Sequence, residues 1–536
     1  MKKSIYIFMI LIFCLTIGCV EEDFLQEDPR DNLYADNLFE SYQGFRLATN
    51  ALLDFVRDER EDKIQSAELG FGWKIGVDNG WANTELSWSR GINQYNVDLN
   101  PEMQLMNGDT DGNPGVFLLM YRAINSCNMV IARAENPNID WQGTSPQQIE
   151  ANKNLILGHA HLIRAWAYRH LVYTFGDIPI TVEEINGLNY RNDWDRRPVR
   201  EVQELIVSDL LLAEQFLPPV SDSVLELSGA IASHYLAEMY LWMDMPELAK
   251  TKAESVINSG NFSLITERFG VRSNQPGVPF MDQFYDGNIT RQQGNTEALW
   301  VFPNSDVLSL PGASSNSMRR SWVINYNGYA PYTPENGGRG IGRLAITAWA
   351  FSIYEPQDHR FSEFAVKKYY IGNNGDTIRT QTAPSQMNIN NNRWASTRKW
   401  DWTYNDPNLW NANYAFADQV YLRVAETYLL LAEAEMKLGN LSAAAELINQ
   451  IRRRSNASEI TPGQVNIDFI LDERSRELVT EEHRRHTMIR TGKLVERNRL
   501  YNRFAANIQD FQVLLPLPQR VIDANTGRVM NQNPGY

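Results

Sequence analysis

The 536-residue sequence predicts a mostly α-helical protein with one long, loop-rich insertion. Three observations lead to this fold class. Apolar residues recur at three- and four-residue spacing through most of the first 260 residues, and again after residue 417. Small residues repeat at a fixed interval within two of these helical parts. Residues 261–416, in contrast, are rich in Gly, Asn, Pro and aromatic side chains, a composition typical of loops.

The amino-terminal part contains six segments with the spacing of amphipathic helices. They are residues 39–56, 116–134, 149–175, 202–216, 230–243 and 246–257. Within the insertion, clear helical spacing returns only at residues 344–351. We therefore expect a helical body, with the insertion supplying long loops on a rigid frame. Loops of this kind usually carry function.

A twelve-residue interval between alanines suggests paired helices. Ala237 and Ala249 have this spacing, and Ala432 and Ala444 repeat it. Small residues at such positions allow two antiparallel helices to approach closely, as in tetratricopeptide-type helix pairs. The pairs do not follow one another in an uninterrupted array. This favours a helical scaffold that holds insertions over a peptide-binding solenoid.

The amino terminus has the pattern of an export signal. Lys2 and Lys3 precede an apolar stretch, residues 5–18, which is shorter than the roughly 20 residues that a membrane-spanning helix needs. Gly18-Cys19 resembles the lipobox of bacterial lipoproteins, although Thr16 stands where Leu is usual. We predict a signal peptide over residues 1–18 and lipidation of Cys19. A plain secretory signal with an incidental cysteine is the alternative.

Residues 19–36 are polar and acidic, and we predict that they form a tether between the lipid and the folded body.

Charge excludes two classes of partner. The formal net charge is -15, and it becomes -17 when the two signal-peptide lysines are removed. General nucleic-acid binding is not expected, because phosphate backbones are held by clustered Lys and Arg. Charge-driven adhesion to anionic lipid is not expected either, because the mature chain has the same sign of charge as the lipid.

No cofactor or metal site is predicted. Cys127 lies in an amphipathic segment and reads as a small buried thiol rather than a nucleophile. The seven histidines form no metal-binding pattern. Asp109-Thr-Asp111-Gly-Asn113 resembles the start of a calcium loop, but Pro114 and Met120 stand where that loop needs Gly and Glu, so we expect an ordinary turn.

Several motifs resemble one family. They are Arg164-Ala-Trp-Ala-Tyr, Phe175-Gly-Asp-Ile-Pro, Tyr421-Leu-Arg-Val-Ala-Glu-Thr-Tyr, Glu482-His-Arg-Arg, Leu515-Pro-Leu-Pro and Asn531-Gln-Asn-Pro-Gly-Tyr. In this order they resemble the SusD/RagB family. The resemblance implies a SusD-like helical scaffold with tetratricopeptide-like helix pairs, anchored by lipid to the outer membrane and facing the cell exterior. It also implies a SusC-like TonB-dependent outer-membrane barrel as partner and a glycan as cargo. The RagB branch implies a peptide cargo instead.

The resemblance spans essentially the whole mature chain and predicts a single SusD-like domain over residues 37–536. Its parts are a helical amino-terminal part (37–260), a ligand-binding insertion (261–416) and a helical carboxy-terminal part (417–536). Opposite charges recur at helical spacing in the last part, at Glu473, Arg474, Arg476 and Glu477, with Arg484 and Arg485 following. We predict that they form a buried ion network with a structural role.

Glycan binding needs exposed aromatic rings for stacking on sugar faces, with polar groups nearby for hydrogen bonds. Two clusters in Gly- and Asn-rich sequence fit this requirement. The first comprises Trp73, Trp81, Asn83, Trp88, Arg90 and Tyr95, and the second Trp322, Tyr326, Tyr329 and Tyr332. We predict stacking by Trp81, Trp88 and Trp322 in particular. A third cluster, with Trp394, Trp400, Trp402, Tyr404 and Trp410, is interpreted mostly as core.

Two other function classes compete with glycan binding. A glycoside hydrolase needs two carboxylates across a cleft, but no segment carries the signature of a hydrolase family, so no enzyme is predicted. A pure protein-interaction scaffold would use the helix pairs alone. Convergence of the two aromatic clusters on one exposed face distinguishes glycan capture from that alternative.

Overall fold

The computed structural model describes residues 38–60, 84–89, 115–302, 304, 318–342, 344–388, 391–401, 407–412 and 417–536. The predicted signal peptide, the tether, Cys19 and the turn at residues 109–113 lie outside the described residues. Within the part that is described, no helix combines the length and apolar character that a membrane crossing requires.

The six helices predicted for the amino-terminal part are confirmed, with ends that differ from the prediction by a few residues. They are α1 (Tyr42–Arg57), α2 (Gly115–Arg133), α3 (Pro146–Phe175), α4 (Val199–Phe216), α5 (Gly229–Trp242) and α6 (Pro246–Ile257). Local sequence sets their limits. Ser145 caps α3 by accepting a hydrogen bond from the Gln148 backbone, and Gly176 ends that helix in a left-handed conformation that favours glycine.

Helix α3 is the centre of the amino-terminal part. Every residue from Gly158 to Phe175 is buried, so this helix has no solvent face over its last five turns. Its polar side chains are paired accordingly. Arg164 donates hydrogen bonds of 2.7 and 2.8 Å to Asp209 of α4, and Arg169 makes a bidentate contact with Glu238 of α5. These pairs fix α3 against both neighbouring helices.

The insertion contains short elements. They are α7 (Pro279–Asp282), β2 (Ala298–Phe302), α8 (Met318–Trp322), β3 (Leu344–Ile346), α9 (Ala348–Ser352), β4 (Tyr369–Ile371) and β5 (Thr377–Arg379), while β1 (Ser87–Ser89) precedes them in the chain. All sheets here are two-stranded and antiparallel: β1 pairs with β3, and β4 with β5. The single helix suggested at residues 344–351 is wrong. Residues 344–346 pair with β1 instead, and Thr347 caps a separate α9.

The carboxy-terminal part is again helical. It contains β6 (Gln419–Arg423), α10 (Val424–Lys437), α11 (Leu441–Arg454), α12 (Ile467–Leu478), α13 (Arg484–Arg490), α14 (Leu494–Tyr501) and α15 (Gln519–Ala524). Strand β6 pairs with β2, so the chain that leaves the insertion lies beside a strand near its beginning. The alanines of the twelve-residue interval are all buried, which is consistent with close helix pairing.

A network of buried ion pairs joins the insertion to the carboxy-terminal helices. Glu477 of α12 accepts hydrogen bonds from three guanidinium groups, those of Arg360 (3.2 Å), Arg423 (2.9 Å) and Arg454 (2.5 Å). Arg423 also contacts Glu297 at 2.7 Å. These residues come from the insertion, β6, α11 and α12, so one carboxylate ties four segments together.

Glu473, one turn earlier on α12, extends the network. Its carboxylate accepts hydrogen bonds from Arg360 (2.7 Å), Arg452 (2.8 Å) and Arg476 (2.8 Å). Burial alone raises the pKa of this carboxyl group, but the three positive charges outweigh burial and hold its pKa at about 2. Glu473 is therefore ionised throughout the physiological pH range.

The charged residues predicted on α12 and α13 also belong to buried ion pairs and hydrogen bonds. Arg474 donates to Glu482 at 2.6 Å, and Arg484 donates to Glu482 at 2.8 Å and also contacts Glu85. Arg485 donates to the backbone carbonyl oxygens of residues 512 and 513. The prediction of a buried ion network is confirmed.

Removal of one charge from this network should destabilise the protein strongly. We expect Glu473→Gln to lower the free energy of unfolding by about 3–5 kcal/mol, because it leaves buried arginines without their counter-charge. The matched control is Glu446→Gln, which breaks an exposed ion pair with Arg453 on α11 and should change stability by less than about 1 kcal/mol. Denaturant unfolding of both variants measures the difference, and equal stabilities would contradict the role of Glu473.

Acid should weaken the same network. The pKa values of Glu473 and Glu482 are both lowered from 4.5 to about 2, by arginines that outweigh the effect of burial. The folded state therefore holds fewer protons than the unfolded state between these values. The stabilisation is complete above about pH 4.5 and is lost as pH falls through about 2. Thermal unfolding measured stepwise from about pH 6 to 3 should show Tm falling below pH 4.5, with a smaller fall in Glu473→Gln.

Candidate functional site

The insertion has its own apolar core, and both predicted aromatic clusters lead to it. Leu86, which lies next to β1, packs in the same buried group as Trp322, Leu344, Trp394 and Trp400. Trp394 and Trp400 are fully buried, as predicted, whereas Trp410 is partly exposed and Trp402 and Tyr404 lie outside the described residues. The segment around residue 88 and the segment around residue 322 therefore meet at one place in the fold.

Strand β1 contains one member of the first cluster, Trp88. The backbone of Trp88 lies opposite Ala345 of β3, and the Asn502 side-chain amide donates to the carbonyl oxygens of Thr84 (2.7 Å) and Ser87 (2.9 Å). The side chain of Trp88 lies outside the described part of the structure, as do Trp73, Trp81, Asn83, Arg90 and Tyr95. Their predicted role in binding stays a prediction.

Trp322 and Tyr326 differ from the prediction. The side chain of Trp322 is only 3% exposed, and Tyr326 is completely buried. Tyr326 stacks on Tyr370 at 4.4 Å between ring centroids, and its hydroxyl donates to a backbone carbonyl of the 337–338 turn. Helix α8 directs Trp322 inward despite its polar sequence neighbours. Burial supports a packing role for both rings and leaves neither a face for stacking on a sugar.

The other two tyrosines of this cluster lie at the surface. Tyr329 and Tyr332 are both partly exposed, next to the exposed side chains of Asn325 and Asn327. The Tyr329 hydroxyl donates to the carbonyl oxygen of residue 392 at 2.7 Å, and the Arg393 guanidinium lies 5.8 Å from the Tyr329 ring. We call Tyr329 and Tyr332, with these neighbours, the tyrosine surface.

A groove of about 480 Å³ lies between α9 and α14. We call it the aromatic groove. Its lining includes Trp349, Met387, Arg499, Leu500, Tyr501 and Arg503. The rings of Trp349 and Tyr501 stack at 4.5 Å with an angle of 15° between their planes. Sequence analysis missed this pair, because 152 positions separate Trp349 from Tyr501 in the chain and only the folded α9 and α14 bring them together.

The aromatic groove adjoins the predicted site of Trp88. Asn502, which follows Tyr501 directly, bonds the Ser87 carbonyl, and Trp88 is the next residue of β1. On the opposite side, β3 pairs with β1 and leads through Thr347 into α9, which carries Trp349. The described rings and the Trp88 backbone therefore occupy neighbouring positions on one side of the insertion core.

The Trp349–Tyr501 pair rests on a buried charge. The Arg497 guanidinium lies 5.0 Å from the centroid of each ring. It is held by Asp468 at 3.0 Å and by Asp472 and Glu85. Burial opposes its charge, but these carboxylates raise the pKa of Arg497, which stays protonated. Cation–π contacts of this kind fix aromatic rings in place. The pair is a preorganised platform.

A larger groove, of about 890 Å³, lies elsewhere on the chain, between α1, α2, the loop at residues 179–194 and α15. Its lining is mainly apolar and includes Phe55, Phe117 and Tyr121, with the strongly exposed Tyr190 at its edge. Its described lining includes none of the residues predicted to bind glycan.

One group of side chains has the donor types of a metal site. Glu59, His170 and His483 are buried, and their donor atoms lie within 4.8 Å of one another. Glu59 Oε1 is already 2.9 Å from His483 Nε2, and the Tyr421 hydroxyl contacts the same carboxylate. These bonds connect the end of α1 to α13 and β6, so this group of side chains has a structural role. Sequence alone gave no sign of the group, because its members are far apart in the chain.

Comparison with known proteins decides the family. Residues 24–241 match the family model described as "Starch-binding associating with outer membrane", and residues 316–536 match the one described as "SusD family". The chain belongs to the SusD/RagB family. A relative with this family's features, SusD-like protein P2 of Formosa agariphila, is 24% identical over the full length of both chains.

Solved SusD structures have the same fold. A "Laminarin binding SusD-like protein" aligns with a TM-score of 0.69 and 17% identity, over 92% of this chain and 99% of that one. "Surface glycan-binding protein A from Bacteroides fluxus" aligns with a TM-score of 0.67 and 18% identity, over 92% and 99%. The predicted SusD-like, mostly helical fold is confirmed.

The burial of Trp322 leads to a prediction about the stability of this SusD-family chain. Trp322→Ala should lower the free energy of unfolding by about 3–5 kcal/mol, because it opens a cavity in the insertion core. Trp349→Ala, which removes a partly exposed ring, should cost clearly less. Denaturant unfolding compares the two variants. A Trp322→Ala variant as stable as wild type would contradict the packing role.

Proposed function

We propose that this protein is a cell-surface glycan-binding lipoprotein that captures oligo- or polysaccharide and delivers it to a SusC-like TonB-dependent outer-membrane transporter. One observation carries the proposal. A SusD-family chain presents a preorganised aromatic platform, Trp349 on Tyr501, in a groove whose Tyr501 is followed by Asn502, and Asn502 donates a hydrogen bond to the strand that carries Trp88.

The chemistry of the aromatic groove fits sugars. Pyranose rings have apolar C–H faces that pack on aromatic rings, and hydroxyl edges that need hydrogen-bond partners. The groove offers the platform together with the exposed guanidinium groups of Arg499 and Arg503. Trp88, on β1, and the other residues predicted for the first cluster, Trp73, Trp81, Asn83, Arg90 and Tyr95, are included in the proposed site on the basis of the sequence. The tyrosine surface is a second proposed contact region.

The relatives support a carbohydrate cargo. Two solved structures with this fold are named as a laminarin-binding protein and a surface glycan-binding protein, and one matched family model is described as starch-binding. The same model's description includes association with the outer membrane. This agrees with the predicted lipid on Cys19 and the acidic tether behind it.

The described lining of the aromatic groove supports a binding role without chemistry, because it contains no Asp or Glu. A glycoside hydrolase needs a carboxylic acid with a raised pKa at its site. The pKa values of Glu473 and Glu482 are lowered. Burial raises the pKa values of Asp286 and Asp418, but neither residue lines the aromatic groove. We therefore propose capture of the glycan without hydrolysis.

Titration calorimetry of the chain lacking residues 1–19 against a panel of polysaccharides and peptides tests the proposal. We expect binding to at least one polysaccharide. Trp88→Ala and Trp349→Ala should each raise its Kd about tenfold, as loss of one stacking contact implies. Tyr190→Ala, which removes an exposed ring from the larger groove, is the matched control and should leave Kd unchanged.

Three results would count against this proposal. Binding of peptides alone would replace the glycan with a peptide cargo. Binding of nothing in the panel would remove the support for capture. Equal affinity in Trp88→Ala, Trp349→Ala and wild type would mean that the glycan binds elsewhere.

A further inference from the structure

We infer that the aromatic groove selects anionic glycans, those carrying carboxylate or sulfate groups, and that Arg503 contacts the acidic group. This inference rests on the proposed function and goes beyond it by naming the class of sugar. Four features of the described residues support it: the charge of the groove, the pairing of its two arginines, the position of the platform and a similar arginine on the tyrosine surface.

The lining of the aromatic groove is positively charged, in contrast to the whole chain. It contains two arginines, Arg499 and Arg503, and its described lining includes no Asp or Glu. The chain as a whole has a formal net charge of -15. A groove lined by arginines without acidic neighbours favours an anionic ligand, whereas the negative charge of the chain as a whole disfavours non-specific binding of polyanions.

The two arginines are in different states. Arg499 donates to the carbonyl oxygen of residue 508 through Nε (3.1 Å) and Nη2 (2.8 Å), and it pairs with Asp510 at 3.1 Å. Its charge is therefore partly neutralised. Arg503 is exposed and makes one long hydrogen bond, 3.3 Å, to the carbonyl oxygen of Pro384. Within the described part of the chain, no carboxylate lies within 4 Å of the Arg503 guanidinium.

Arg503 is also held in position. Its guanidinium lies 4.8 Å from the centroid of the neighbouring Phe504 ring, which is partly buried against the insertion core. A planar guanidinium presents parallel N–H donors that match the two oxygens of a carboxylate or sulfate. Arg503 thus offers a fixed, exposed fork in the same groove as the Trp349–Tyr501 platform. A sugar ring on the platform can place its acidic substituent at the rim.

The tyrosine surface has the same arrangement. Arg393 is exposed and lies over the Tyr329 ring, and among the described residues no carboxylate is within 4 Å of its guanidinium. An arginine beside an aromatic ring therefore occurs in both proposed contact regions. Repeated charges along a glycan chain would meet a positive group at each. Many other arginines of this protein, by contrast, are committed to ion pairs such as those of α11 and α12.

The test compares glycans of different charge on the chain lacking residues 1–19. The probes are laminarin as a neutral glucan, alginate as a polyuronate and carrageenan as a sulfated galactan, with Kd measured by calorimetry. We expect tighter binding of an acidic probe, and weaker binding of it when salt is raised, because exposed charges are screened. The comparison of alginate with carrageenan distinguishes carboxylate from sulfate recognition.

Three arginine variants identify the contact. Arg503→Gln should raise the Kd for the acidic probe about tenfold or more, as loss of a charge-assisted hydrogen bond implies, and should leave any binding of laminarin unchanged. Arg503→Lys keeps the charge without the fork and should fall between wild type and Arg503→Gln. Arg379→Gln, at an exposed arginine on β5, is the matched control and should behave as wild type.

The outcomes separate the two proposals. Binding of laminarin alone, or an unchanged Kd for acidic probes in Arg503→Gln, would overturn the anionic selectivity and leave glycan capture intact. Failure to bind any of the polysaccharides, neutral or acidic, would overturn the proposed function and this inference with it. Because Arg503 is exposed, its variants should have the Tm of wild type, which confirms that a change in Kd is not a loss of fold.

Discussion

The ion pairs around Glu473 and Glu477 are the constraint on which the rest of the structure depends. Charges removed from water are costly unless each finds a partner, so Arg360, Arg423 and Arg454 can remain buried only if the insertion, β6 and α11 all return to the same place on α12. Non-directional apolar packing alone would leave the loop-rich insertion many alternative positions. The paired charges specify one position.

The same principle supports the candidate site. Arg497 is buried under the Trp349–Tyr501 pair, and its carboxylate partners come from β1's flank and α12. A ligand platform on an unsupported loop would have to be ordered at each binding event, which costs affinity. In this protein the rings are already ordered in the folded chain, so binding does not have to order them. Rigid support from the helical body therefore reaches residues that lie in, or next to, the most irregular part of the chain.

Sequence periodicity was sufficient for the six amino-terminal helices, because 3.6-residue spacing indicates a buried stripe whatever its partner is. The charged residues of α12 and α13 were recognisable because opposite charges recur there at helical spacing. The exposure of individual rings could not be predicted from local sequence. Trp322 and Tyr326 stand among Asn and Gly yet are buried, because α8 and the 337–338 turn direct them inward. The pairing of Trp349 with Tyr501 depends on contacts between distant segments, which no local pattern encodes.

The pairing of β2 with β6 has a consequence for how the loops of such a protein can change. Because strands near the beginning and end of the insertion hydrogen-bond to each other, the intervening chain starts and finishes at one point of the helical body. Doubling the length of a flexible loop closed in this way costs only about 0.6 kcal/mol. A chain built like this can lengthen the loops between these strands while the helices keep their own packing, as long as Arg360 is retained as the partner of α12.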